Sequence, residues 1–285
     1  MSLVARSLET LARDVVLLAP PNRSLSDCFR KVDHPLRHQR LLRSMQKLRG
    51  EIYLGDGAIE RWQLLPDGRH EQPIDYESWH ILALDDEGKV SGCVRYHEQS
   101  NKVSFQDLGV RQSALAVSPW WGKMLRVAIE NELAAARLKH VAYVEVGGWA
   151  IAAERRCSPE ALRLVMVTYA LAQLLGGCRG ITTATVRHHS STILRKLGGR
   201  PLEVNGCELP AYYDPMYRCD MEILQFDSRS PGAFYAEWVD QIRTRLPLVP
   251  VVCSTEAETR RERPRIPAGA FPAMWRAPRG VTLLP

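Results

Sequence analysis

The chain has 285 residues, 45% hydrophobic and 25% charged, which is enough for one large globular domain with extensions and excludes a disordered polymer. Its formal net charge of +6 suits an anionic partner, but Lys and Arg are dispersed. There is no aromatic-and-basic interleaving and no zinc-finger spacing, so no nucleic-acid partner is expected.

No apolar run reaches the length of a membrane span, so no integral membrane segment is expected. Glu9, Arg13 and Asp14 interrupt the N-terminal segment, which argues against a secretory signal. The seven cysteines are odd in number and lack CxxC or Cys/His ligand spacing. Reduced thiols in a cytoplasm, with no metal site, are the simpler reading.

In chain order, residues 3–18 place Val4, Leu8, Leu11, Val15 and Leu18 at helical spacing, and Pro20-Pro21 ends the pattern. Residues 35–49 predict a second helix with Leu36, Leu41, Leu42, Met45 and Leu48 on its apolar side. Its outer side is basic (Arg37, Arg40, Arg43, Lys47), either simply solvated or a meeting surface for an acidic carrier. Residues 50–77 read as irregular, from the turn signals GDG, PDG and QPID. Trp79–Asp85 and Lys89–His97 flank Asp-Glu-Gly and predict a β-hairpin. A short strand is expected within 101–118. A helix over 119–139 follows, opened by Ser118-Pro119, with Leu125, Ala128, Ile129, Leu133 and Ala136 as its buried stripe.

The stretch His140–Gly199 carries the most information. Val141, Tyr143, Val144 and Val146 favour a strand, and Gly147-Gly148 interrupts it. Paired glycines inside a strand mark a bulge or the close approach of another molecule. After the basic turn Arg155-Arg156-Cys157, Ser158 suits an N-cap, Pro159 the first helical position and Glu160 the positive end of the dipole. A nearly all-apolar helix runs to Leu175 and stops at Gly176-Gly177. Strand Gly180–Val186 and the short helix SSTILRKLGG close a β-α-β-α unit. Free N–H groups at the helix start, with two arginines beside them, fit a phosphate site, and they equally fit an ordinary capped helix.

Residues 200–215 read as a loop leading to a late strand, Tyr217–Phe226. Ser230-Pro231 opens a last helix on which Phe234, Trp238 and Ile242 recur at i+4, with Pro247 as its limit. From Thr255 the chain is rich in Arg and Pro and reads as an extended tail. The expected division is a helical extension over 1–34, a main domain over 35–247 and a tail over 248–285.

This order of elements resembles the GNAT acyltransferase fold and is more closely similar to the acyl-homoserine-lactone synthases and N-acyl amino acid synthases, over roughly residues 35–226. The hairpin DYESWHILALDDEGKVSGCVRYHE resembles that group's early segment, with Arg95 at a functional arginine. Glu145-Val-Gly-Gly-Trp-Ala-Ile resembles its central strand, and ILRKLGG the end of its fourth helix. The resemblance implies an α/β (α+β) fold: a mixed central sheet with a splayed pair of parallel strands and helices on both faces. Gly148 stands where the synthases carry arginine, Leu194 where many acetyltransferases carry a tyrosine that protonates the leaving thiolate, and ERRCSP lacks the usual glycine pair.

The activity implied is acyl transfer from an acyl-CoA or acyl-carrier-protein thioester, bound as a co-substrate, to the amine of a small molecule such as an amino acid. Glu145 would accept the amine proton, directly or through a water; otherwise it is a carboxylate paired with an arginine. Arg95 would grip a carboxylate on the acceptor, or is a surface hairpin arginine. Backbone N–H groups near Gly148, Trp149 and Ala150 would polarise the thioester carbonyl, and Trp149 reads as core more than as substrate wall. Arg155, Arg156, Cys157 and Ser158 would hold the donor phosphate. His188 and His189, between a strand end and a helix, are candidates for binding substrate or for the base, or are a capping or solvated pair. An acidic acyl carrier protein is the expected macromolecular partner. Two alternatives stand beside this: an autoinducer-type synthase whose acceptor cyclises, and a silent domain that only binds acyl thioesters.

Overall fold

The structure, a computed structural model, describes residues 10–255 except Asn22, Cys157 and His188. The expectations for Cys157, His188, the first part of the N-terminal helix and the tail beyond Thr255 therefore lie outside the described residues.

A short helix α1 (Leu11–Asp14) leads into strand β1 (Val15–Leu18). A helix was expected through Leu18. The residues 15–18 instead form a strand that is buried throughout, between two neighbouring strands. A short apolar run of this kind satisfies both periodicities, and tertiary pairing decides between them. After β2 (Arg30–Asp33) comes α2 (Pro35–Gly55), where the His34 side chain accepts the Arg37 N–H and Pro35 takes the first turn. The helix outruns its predicted end by six residues. Gly50 is tolerated inside it because the Gly68 carbonyl oxygen lies 2.4 Å from where a Cβ would sit.

The expected hairpin forms as β3 (Trp79–Leu84) and β4 (Val90–Glu98). In place of a strand within 101–118 there are 3-10 turns at Phe105–Asp107 and Gly109–Gln112. Then follow α3 (Gly122–Leu138), β5 (Ala142–Ile151), α4 (Glu160–Leu174), β6 (Cys178–Thr185) and α5 (Ser190–Lys196). The expected loop 200–215 contains short strands: β7 (Arg200–Pro201), β8 (Glu203–Val204), β9 (Cys207–Glu208) and β10 (Tyr212–Asp214). Strand β11 (Cys219–Asp227), helix α6 (Ala233–Arg245) and strand β12 (Pro250–Cys253) complete the chain.

One mixed sheet runs β10-β11-β6-β5-β4-β3-β1-β12-β2, with β7 on β11. It reaches past both expected boundaries, because β1 and β2 precede residue 35 and β12 follows residue 247. One face is covered by α4 and α6, whose Leu164, Val167, Leu171, Val239 and Ile242 pack on Val94, Tyr96, Val144 and Leu224. The other face carries two separate apolar clusters. Under α2, Leu41, Leu42 and Met45 meet Leu82, Cys93 and Ala150. Under α3, Leu125, Ile129 and Leu133 meet Tyr143, Ile181 and Ile223. The polar site lies between these two clusters.

Candidate active site

Strands β5 and β6 run parallel and pair from Ala142↔Cys178 to Val146↔Thr182, and there they part. Residues 147–151 continue along β4 alone and residues 183–185 along β11 alone. Thr183, in the middle of a central strand, is exposed, and Glu145 to Trp149 are each half-buried. Water thus reaches the centre of the sheet, as the glycine pair implied. The break is a β-bulge: Cys93 pairs with Ala150 and Arg95 with Gly147, so Val94 faces both Gly148 and Trp149. Gly148 takes φ +63°, a left-handed conformation that suits glycine.

Arg95 faces this bulge. Its Nη2 lies 3.7 Å from where a Cβ on Gly147 would sit. Behind it is a buried charge cluster. Arg49, from α2, sets Nη1 and Nη2 on the two Asp75 carboxylate oxygens at 2.9 and 2.5 Å, and both side chains are 0% exposed. Arg95 Nη1 reaches the same carboxylate at 3.2 Å and also donates to Gln72 Oε1. Gln46 Nε2 and the Gln72 backbone N–H donate to Asp75 as well. Burial by itself would raise the Asp75 carboxyl, but the Arg49 and Arg95 charges override it and hold it well below the usual range. Burial pushes His80 down to about 4, and burial together with the Arg49 charge does the same to His70. Both rings are therefore neutral near pH 7, and the cluster holds two guanidinium groups against one carboxylate. Arg49 Nε and Arg95 Nε are buried without a hydrogen-bond partner among the described residues. The Tyr53 ring lies 5.7 Å from that of His70, whose backbone oxygen accepts from Arg49, and 6.5 Å edge-on from the Tyr217 ring, which places the aromatic pair beside the cluster.

Glu145 is the next-to-last β5 residue paired with β6. Its Oε2 accepts from Gln99 Nε2 at 2.9 Å and Gly109 N–H at 3.1 Å, and its Oε1 from Val110 N–H at 3.3 Å. The carboxylate thus anchors the Gly109–Gln112 turn. Burial pushes its carboxyl up, against the pull of those N–H groups and of the Arg95 charge. An ordinary paired carboxylate would have a direct arginine contact; this one is held by neutral donors and retains acceptor capacity on Oε1.

At the donor corner, the Ser158 hydroxyl donates to the Arg155 carbonyl at 2.7 Å and accepts the Glu160 N–H at 3.2 Å, so it braces the turn into α4, where Pro159 and not Ser158 takes the N-cap position and Glu160 is the first helical residue. Arg155 is half-buried, and Arg156 is exposed with its guanidinium on Asp56. Trp149 packs toward the α4 face as a partly buried core ring. Leu194 is buried in that same core, and His189 precedes α5 with φ +58°. Charge lies close to Gly148 all the same. Arg49 Nη1 lies 3.3 Å from where a Cβ on Gly148 would sit.

Glu145, Gly148 and Arg95, expected at the site from the sequence, lie together along β4 and β5; Arg49, Asp75, Tyr53 and Tyr217 beside them were not expected there. A signal existed for Arg49. His38, Leu42, Met45, Arg49 and Ile52 alternate by four and three along α2, so a charged residue sits in the buried stripe.

A mixed sheet whose two central parallel strands diverge at a bulge, with helices on both faces, is a GNAT-like fold. Among solved structures the chain is similar to the CoA-dependent acyl-homoserine lactone synthase BjaI. Against the form with SAM and isopentyl-CoA, the TM-score is 0.52 at 15% identity over 87% of this chain and 97% of that one. Against the form with MTA, it is 0.50 at 16% identity over the same shares. It is also similar to FeeM, an N-acyl amino acid synthase from uncultured soil microbes, with TM-score 0.44 and 14% identity over 70% and 89% of the two chains. At 15–16% identity the likeness to BjaI is one of fold. No family model and no curated protein matches the sequence.

Proposed function

We propose that the chain is an N-acyltransferase that moves an acyl group from a CoA or carrier-protein thioester to the amine of a small, carboxylate-bearing molecule such as an amino acid. The observation that carries this reading is the splay beside Glu145, opening onto a cluster with one buried positive charge in excess and unpartnered arginine N–H groups. The donor's pantetheine arm would lie along the unpaired edge of residues 147–151, its amides bonding free backbone groups. The acceptor carboxylate would be drawn to Arg95 and the Arg49 charge behind it. The amine attacks the thioester carbonyl, the C–N bond forms, the C–S bond breaks and the thiolate leaves. Glu145 takes the amine proton, directly or through a water, and its raised pKa suits that role. Backbone N–H groups of the bulge near Gly148–Ala150 polarise the carbonyl. Arg155 and Arg156 steady the donor phosphate.

The exposed Arg40, Arg43 and Lys47 on the outer side of α2 favour an acidic carrier in a cytoplasmic setting. Mass spectrometry of lipid extracts from a bacterium overexpressing the protein tests the reading. A new N-acyl amine supports it, a lactone turns it into an autoinducer-type synthase, and no new species leaves a silent thioester-binding domain.

A further inference from the structure

The C-terminal tip of α2 holds both arms of the splay through one residue. Arg156, which follows β5, sets Nη2 on the Asp56 carboxylate at 2.9 and 2.8 Å. Arg187, which follows β6, donates Nη2–H to the Asp56 backbone oxygen at 2.7 Å. Asp56 is the C-cap of α2, so its carboxylate adds to the partial negative charge of the helix end. A third arginine, Arg218, which precedes β11, pairs with Glu60 at 2.7 Å. Loops from β5, β6 and β11 therefore converge on one acidic tip, beyond the point where β5 and β6 stop pairing.

The Asp56–Arg156 pair is not buried: its guanidinium is 40% exposed and its carboxylate 19%. Pairs of this kind are screened by water and exchange readily. A phosphate offers more charge and more acceptor oxygens than a carboxylate, and it binds guanidinium in the same forked way.

Resting on the acyl-transfer reading, we infer that Asp56 is a phosphate-operated gate at the donor corner. Its carboxylate occupies Arg156 in the free enzyme, and the phosphate of a pantetheine arm displaces it, so that thioesters carrying that phosphate release the clasp between the two strand ends. CoA and the prosthetic arm of a carrier protein share this phosphate, while free pantetheine lacks it.

Asp56→Asn removes the charge and keeps the backbone oxygen for Arg187. Calorimetric titration of the full chain with CoA and with pantetheine tests the gate. D56N binds CoA about two- to fivefold tighter than the wild type, the range expected from loss of one competing exposed ion pair. Pantetheine binding does not change. Arg156→Gln weakens CoA binding and makes it indifferent to D56N, and Asp56→Ser, which also removes the charge, keeps the test decisive if D56N folds poorly. The gate is overturned if D56N leaves CoA affinity unchanged, or shifts CoA and pantetheine alike. CoA binding that ignores D56N overturns the gate alone. Wild type and D56N that both fail to bind CoA and carrier-held arms overturn the acyl-transfer reading as well. Repeating the titration with holo and apo carrier protein separates the sources: a D56N gain with the holo form assigns the carrier, and a gain confined to CoA assigns CoA.

Discussion

Gly148 is where one atom decides most. A methyl group there would stand 3.3 Å from both Arg49 Nη1 and Arg95 Cβ, on a backbone already at φ +63°. Gly148→Ala should therefore cost about 1–2 kcal/mol of stability from the left-handed conformation. It should also lower kcat/KM by displacing the two arginines, and urea unfolding alongside steady-state kinetics measures both. Unchanged kinetics would detach the bulge from the site. Glu145→Gln retains the shape of the side chain but cannot take a proton. If Glu145 is the base, kcat should fall about a hundredfold or more, within the range for loss of a general base. Its stability should also fall, by about 1 kcal/mol, because Gly109 and Val110 N–H are held by different oxygens and the new amide NH2 must face one donor; a loss of kcat far larger than that fall separates the base from the anchor. At this scale the sequence was readable where a local rule applied. Two glycines in a β-rich run announced the bulge, and Glu145 stood beside them. Asp75 was not readable: it sits in a Pro-containing turn that looks like any loop, and only three-dimensional folding brings Arg49 to it across 26 residues.

The elements around the cluster are joined by groups that must stay in one protonation state. His80 on β3 donates its Nε2–H to the Asp75 backbone oxygen at 2.7 Å, inside a site that already holds two cations. The pKa of His80 is lowered to about 4 in the fold, against about 6.5 in an unfolded chain. Below pH 6.5 the unfolded chain therefore gains a proton that the folded one refuses. Stability falls as the pH drops from 6.5 toward 4, by about 2 kcal/mol at pH 5 from this residue. His70, lowered in the same way, adds to the slope. Urea midpoints at pH 7.5 and pH 5 should differ accordingly, and His80→Asn should reduce the difference; a flat wild-type profile would contradict the buried neutral rings. The long helices and the split strand were legible because each carries its pattern over ten or more residues, and the hairpin because Asp-Glu-Gly marks its turn. Strands β1 and β12 were not. Each is only four residues long and buried on both sides, so neither shows alternation.

Across the whole molecule, those two illegible strands close the sheet. Strand β12 lies parallel between β1 and β2, with Val251 opposite both Leu17 and Lys31. The first strand of the described chain thus depends on the last, more than two hundred residues away, and β1 in turn flanks the hairpin that presents Arg95. A contact of such sequence separation is costly to close, and it makes the sheet one cooperative unit. Val251 is fully buried, so Val251→Asp places a charge with no partner at the centre of this closure. The expected loss is more than about 3 kcal/mol. It should appear as a shift of the entire transition: far-UV circular dichroism and tryptophan fluorescence should move together in urea, because Trp79 in β3 and Trp149 in β5 belong to the same sheet. An early transition in one signal alone would mean that β12 docks on an independently folded domain, and that the boundary expected at residue 247 is also a boundary in stability.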